Sequence, residues 1–261
     1  MRPWLPFAAI VLAAVPALAQ VKVWCVMKES VFLQYESVPA EIHILNEEAT
    51  PLRVSTNAPA ALLSLDVLDG ERKPVDRTAK PLLLRPLTVA PGETARLPLD
   101  LADLYALVGT EPHTISARID HDGITYESLP TRFDVQKGSE VAKTTSKAPR
   151  RVFSLRTVVR SNRQMLFVRV DDPAAGLCYG SYELERFQKG IPPRMLFDTR
   201  GNLHVLFCHV PKALIHAEIS PTGAVISRKY YREGQKTPQF GPDGKGGVEV
   251  TGAIPMEEAV P

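Results

Sequence analysis

The sequence has little of what marks most enzymes and most membrane proteins. It contains no Gly-x-Ser-x-Gly elbow, no His-Glu-x-x-His pair and no glycine-rich phosphate loop, so serine-nucleophile, zinc-peptidase and nucleotide-phosphate chemistries have no foothold. Beyond residue 19 no run reaches the roughly 18–20 uncharged apolar residues of a membrane-spanning helix. Cysteine is scarce, at three, which excludes a disulfide framework and allows at most one bridge within the chain. Cys178 and Cys208 are the natural pair. The net charge is only +2, so the chain as a whole is not a polycation built for nucleic acid, and no aromatic-interleaved basic motif suggests otherwise.

What is present begins with an address. Arg2 supplies a positive start, residues 7–15 are almost entirely apolar, and Ala17-Leu18-Ala19 is a small-x-small cleavage site before Gln20. Residues 1–19 are therefore expected to be a cleaved secretory signal, and the mature protein to be periplasmic or secreted, with no transmembrane segment. Val23 and Trp24 before Cys25 do not form the small-residue box of a lipoprotein, so no lipid anchor is expected.

The charge is unevenly placed. Residues 20–135 hold 11 Lys and Arg against 17 Asp and Glu, a net of −6, and residues 136–261 hold 19 against 12, a net of +7. Such halves can dock on each other, or the basic half can meet an acidic partner. Between them residues 136–150, QKGSEVAKTTSKAPR, lose the apolar alternation and read as a flexible linker.

Before the linker, short runs rich in Val, Ile, Leu and Thr alternate with Pro, Gly, Asn and Asp, which is the sequence of an all-β sandwich. Strands are expected over Val21 to Met27, Ala40 to Leu45, Leu52 to Val54, Leu62 to Leu68, Leu82 to Leu84, Ala95 to Leu99, Thr114 to Ile119 and Thr125 to Val135, with a helical turn within Leu101 to Leu107. The order VFLQYESVPAEIHILNEEATPL, then VAPGETARLPLDLADLYAL, then TRFDV resembles the immunoglobulin-like domains of exported proteins in environmental bacteria. That resemblance covers about residues 30–135 and implies architecture, not chemistry.

Beyond the linker an offset of 38 superposes residues 160–180 on residues 198–218, matching Met165 with Leu203, Phe167 with Val205 and Pro173 with Pro211. PPRMLFDTRGNLHVLF resembles a β-propeller blade. Two copies are too few to close a propeller, so a smaller antiparallel β-domain of two blade-like sheets packed face to face is expected over residues 151–231. Residues 232–261 are rich in Gly and Pro and read as a disordered tail.

Candidate chemistry is sparse. Arg156, Arg160, Arg163 and Arg169 suggest a basic stripe for an anionic glycan or an acidic protein surface. His204, Cys208 and His216 are candidate metal ligands, because alternation puts His204 and Cys208 on one strand face and a hairpin can return His216 beside them, although the spacing matches no strong metal motif. Glu183 and Glu185 share a strand face, as acidic pairs commonly do. No cofactor is expected. The function that follows is a non-enzymatic binding or scaffolding protein of the bacterial envelope, with protein or anionic polysaccharide as partner and the oligomeric state open. Its rivals are a secreted hydrolase or redox/metal protein using Cys208, His204 and His216, and an accessory subunit pairing by strand addition.

Overall fold

The computed structural model describes residues 20–57, 59–82 and 85–256. The expected signal peptide over residues 1–19, Leu83 and Leu84 of one expected strand, and Glu257 and Glu258 in the tail lie outside them. The described chain is all-β, in two halves.

The first half runs β1 (Val21–Val26), β2 (Val31–Leu33), β3 (Pro39–Asn46), β4 (Leu52–Ser55), β5 (Ala61–Leu68), β6 (Leu87–Val89), β7 (Thr94–Asp100), α1 (Leu101–Leu104), β8 (Pro112–His121), β9 (Ile124–Glu127) and β10 (Thr131–Gln136). Strict alternation in VKVWCV buries Val21, Val23 and Cys25 and leaves Lys22, Trp24 and Val26 outside. A three-stranded sheet in the order β1-β3-β7 and a seven-stranded sheet in the order β2-β10-β8-β5-β4-β6, with β9 on β8, turn such faces into one shared core. Asp100 ends β7 and caps the helical turn, its Oδ1 accepting from the Ala102 amide at 3.0 Å. The expected strand from Thr125 to Val135 is broken in two. Pro130 has no amide to donate, and Ser128 turns its hydroxyl to accept from the Ala117 amide at 2.9 Å.

The second half begins earlier than its composition indicates. Residues 139–145 of the expected linker are β11 (Ser139–Thr145), which pairs antiparallel with β12 (Val152–Arg160). The ladder to β12 supplies the backbone hydrogen bonds, and Val141 and Ala142 supply apolar contact with the core. Only Lys137 and Gly138 separate β10 from β11. Gly138 has φ +68°, and a Cβ there would stand 2.5 Å from Leu33 Cδ1 and 2.9 Å from the Thr157 carbonyl, so the crossing point admits only glycine.

β11, β12, β13 (Arg163–Asp172) and β14 (Leu177–Arg186) form one antiparallel meander. β15 (Arg194–Phe197), β16 (Leu203–Val210), β17 (Ala213–Ile219) and β18 (Val225–Glu233) form a second, against which the meander packs across a core containing Phe153, Leu166, Val168, Val205, Phe207 and Ile215. The 38-residue offset lays β13 on β16 but out of phase. Leu166, Val168 and Val170 face the shared core from β13, whereas Leu203, Val205 and Phe207 do so from β16, and a shift of one residue exchanges the two faces of a strand.

The tail is also structured. β19 (Gln239–Pro242) and β20 (Val248–Thr251) make a hairpin, and β21 (Ala253–Met256) adds to β18. Phe240, Val250 and Ala253 pack on Leu206, Cys208, Leu214 and Tyr231, the outer face of the second meander. This explains why β16 and β17 are buried on both faces.

Candidate functional site

The turn after β2 is gripped by the second half. Tyr35 adopts φ +65°, and its carbonyl accepts from the Ser181 amide at 2.8 Å, while the Gln34 carbonyl accepts from Ser181 Oγ at 2.7 Å. Leu33 packs on Val158 and Phe167. At the centre stands Arg160, on the last position of β12, with a side chain only 8% exposed. Its Nε donates to the Val31 carbonyl at 2.9 Å, Nη2 to Glu36 Oε2 at 2.8 Å, and Nη1 to Glu183 Oε2 at 2.9 Å. The guanidinium lies 5.4 Å from the Phe32 ring centre and 5.3 Å from that of Phe167. Burial pushes the Glu36 carboxyl above its usual range, opposed by the Leu33 amide and by Arg160, and burial raises Glu183 in the same way.

The four arginines therefore do not make one open basic stripe. Arg160 is consumed between the halves. Arg169 donates to Gln34 Oε1 at 3.1 Å and to Asp171, and lies 4.4 Å over the Tyr35 ring. Arg156 reaches the Lys137 carbonyl and Glu140. Arg163 alone is exposed, in the hairpin after Ser161 and Asn162. Of the ion pairs at these positions, only Arg160–Glu36 joins opposite charges across the two halves; Arg156 and Arg169 pair with Glu140 and Asp171 of their own half.

Beside this junction opens a cleft of about 520 Å³, with walls from both halves that include Tyr35, Glu36, Asp100, Tyr105, Cys178 and Tyr182. Its lining carries the carboxylates of Glu36, Asp100 and Asp103 and no Lys or Arg. Tyr105 is fixed by its hydroxyl, which donates to the Leu65 carbonyl at 2.7 Å. Cys178 is half-buried on the cleft wall, and burial pushes its thiol pKa up, opposed by a backbone hydrogen bond at Gly180. The residues that make this cleft come from segments far apart in the chain, and only the tyrosine-rich run Cys178-Tyr179-Gly180-Ser181-Tyr182 offered a sequence signal.

The expected Cys178–Cys208 bridge is not formed. All three cysteines are free, because Cys178 stands on the cleft side of β14 while Cys208 lies under the tail hairpin, its Sγ donating to the Val210 carbonyl at 3.2 Å. Of the candidate ligands, the structure joins two. His204 Nδ1 and His216 Nε2 are 2.8 Å apart, and Cys208 is held in the apolar cluster farther along β16. Both imidazoles are buried beneath Phe240, whose ring centre is 5.4 Å from that of His216. Burial lowers the His216 pKa to about 4, with the neighbouring His204 and Lys229 acting in the same direction, so His216 is neutral at physiological pH.

No protein-family model matches the chain, and no curated protein matches it. Among solved structures the sporulation control protein Spo0M of Bacillus subtilis aligns at 13% identity over 61% of this chain and 82% of that one, with a TM-score of 0.30. A likeness at that level carries no argument about function. What the described residues define is an all-β protein of two halves locked through an arginine, with a tyrosine-lined acidic cleft at the junction. No helix among them is long and apolar enough to cross a membrane.

Proposed function

We propose that this is a non-enzymatic binding protein exported to the bacterial envelope, in which an immunoglobulin-like sandwich and a pair of blade-like meanders together hold a protein partner at their junction. The observation that carries the reading is the cleft. Tyrosines offer large contact area at low entropic cost and keep a polar tip. Although Glu36 is paired with Arg160 and Asp103 with Lys80, no Lys or Arg lines the cleft to take an anionic polysaccharide, which favours a neutral or basic polypeptide segment. Export is supported by the composition of residues 1–19.

Cys178 gives the test, since Cys25 and Cys208 are buried. A photo-crosslinker attached to Cys178 of the full chain at mildly alkaline pH, which offsets the raised thiol pKa, is expected to capture one protein from envelope extract. The product should be insensitive to an added anionic polysaccharide and absent from Cys178→Ser. The captured protein, once purified, should crosslink again from Cys178 but not from an Arg163→Cys variant. Equal capture from position 163, or loss of capture on adding the polyanion, would remove the cleft as the binding site.

A further inference from the structure

Under the tail hairpin, and separate from the cleft, the two histidines belong to a larger donor set. His204 on β16 stands directly opposite Glu218 on β17 in the antiparallel register, so their side chains share the outer face of the sheet. Asp198, the residue after β15, turns in from the loop that leads to β16. Its Oδ1 accepts from the Arg200 amide at 2.9 Å and the Asn202 amide at 2.8 Å, which fixes the carboxylate and aims Oδ2 at His204. The side chain of Asn202 bridges the two acids, its Nδ2 donating to Glu218 Oε1 at 2.9 Å and to Asp198 Oδ2 at 3.4 Å. Ser227 donates to Glu218 Oε2 at 3.3 Å.

The centre of this set is not satisfied. His204 Nε2 is fully buried with no hydrogen-bond partner, although it stands 3.5 Å from Asp198 Oδ2, on side chains 4% and 2% exposed respectively. That separation is too long and too poorly aimed for a hydrogen bond. It is the spacing of two atoms that share an ion: ligands at about 2.0–2.2 Å from a tetrahedral metal stand ~3.4 Å apart. One donor atom each from Asp198, His204 and Glu218 lie within 4.8 Å of one another, so closure needs a shift of about an ångström at Glu218.

We propose that Asp198, His204 and Glu218 bind a first-row divalent cation of the zinc or manganese kind, through His204 Nε2 and one oxygen of each carboxylate. His216 is a positioning residue. In this site its Nε2 accepts the Nδ1–H of His204 across their 2.8 Å contact, which fixes the tautomer that presents a lone pair at Nε2, an imidazole taking the place that a carboxylate, carbonyl or water holds beside most metal-bound histidines. Two carboxylates and one imidazole leave room for water on the ion, so the set suits a borderline or hard cation and not a soft one. The hairpin closes over the site. The Thr199 amide and hydroxyl both donate to the Gly246 carbonyl, at 3.2 Å and 2.7 Å, and so tie its turn to the loop that carries Asp198.

The test uses full-length, tag-free protein stripped with chelator and titrated calorimetrically with Zn²⁺ and Mn²⁺, with Co²⁺ absorption as a spectroscopic check. The expected result is one ion per chain, bound tighter than ~100 µM for at least one of these metals. Asp198→Asn keeps the Oδ1 acceptor of its turn and Glu218→Gln keeps the acceptor for Asn202, so both should fold while losing at least about 10-fold in affinity. His216→Leu should lose about 10–100-fold, with His216→Gln restoring much of it and the Co²⁺ spectrum. Cys208→Ser should bind as the parent does. No binding by the parent chain, or undiminished binding by both carboxylate variants, would overturn the proposal. Should either carboxylate variant misfold, the ¹⁵N shift of His204 Nε2 in the parent chain decides: a large change on adding metal supports ligation, and none refutes it.

Discussion

Replacing Arg160 with methionine is expected to destabilise the protein by about 3–5 kcal/mol, the usual cost of removing one partner from a buried ion pair. The reason lies in what the change leaves behind. Glu36 has a side chain 11% exposed and keeps only the Leu33 amide as a strong donor once the guanidinium is gone, and the Val31 carbonyl loses its Arg160 Nε donor. The pH dependence follows from the sign of the shifts. Glu36 and Glu183 are both raised by burial above the ordinary 4.5, so the folded protein holds their protons more tightly than the unfolded chain does. The cost of ionising them in place is present at neutral pH and falls away as the pH drops through the folded pKa. Without Arg160 the shift grows, so the deficit of Arg160→Met should be largest near neutrality and narrow towards acid pH. The double variant Arg160→Met, Glu36→Gln should recover part of the loss at neutral pH. Urea denaturation across this pH range checks all three, with Arg163→Met as the surface control expected within about 0.5 kcal/mol of the parent. A single Arg160→Met variant within 1 kcal/mol of the parent at neutral pH would mean that Arg160 does not lock the halves.

That lock also shows where sequence reading stops. Strand existence was legible where the alternation is sustained: that in VKVWCV and AEIHIL maps directly onto β1 and β3, because a period of two is a local property, whereas the three-residue β2 and β6 are too short to show it. The fate of the arginines was not. Arg160 and Arg163 sit at the two ends of a tight hairpin and look alike in sequence, yet one is buried and the other exposed, and the difference is a turn more than 120 residues earlier. The repeat misleads for a related reason: residue types match at an offset of 38, while the core-facing phase differs by one position, which only the packed sheets reveal. At the histidine cluster the sequence supplied His204 and His216 by alternation and a hairpin return, and the same alternation extends from His216 to Glu218. Asp198 was visible only as a turn residue, since its second oxygen acquires a role through the neighbouring strand. Cys208 shared the strand face as expected but sits four residues along β16, among apolar side chains.

The largest disagreement is the tail, and it predicts the second large effect. A chain ending at Gly234 lacks β19, β20 and β21 and uncovers the outer face of β16 and β17, where Leu206 is 4% and Leu214 1% exposed. Re-exposing a buried leucine costs about 1.5–3 kcal/mol, and two leucines with part of Tyr231 bring the loss to roughly 4–7 kcal/mol, comparable with the whole stability of many domains. The truncated chain should therefore lose its cooperative melting transition in the second half or melt far earlier, bind a hydrophobic dye, and expose the Cys208 thiol to labelling, a signal that Cys208→Ser abolishes. Phe240→Ala within the full chain should show a weaker form of the same changes, about 2 kcal/mol, because Phe240 is only half-buried. Composition points the other way, since a Gly- and Pro-rich segment has too few apolar side chains to fold alone. The physical resolution is that the tail does not fold alone: it needs only Phe240 and Val250 of the hairpin and Ala253 of β21 to cover a face that β16 and β17 have already made apolar. Full protection of Cys208 and an unchanged melt in the truncated chain would show instead that the outer face is stable in water and that the hairpin covers it without contributing to the fold.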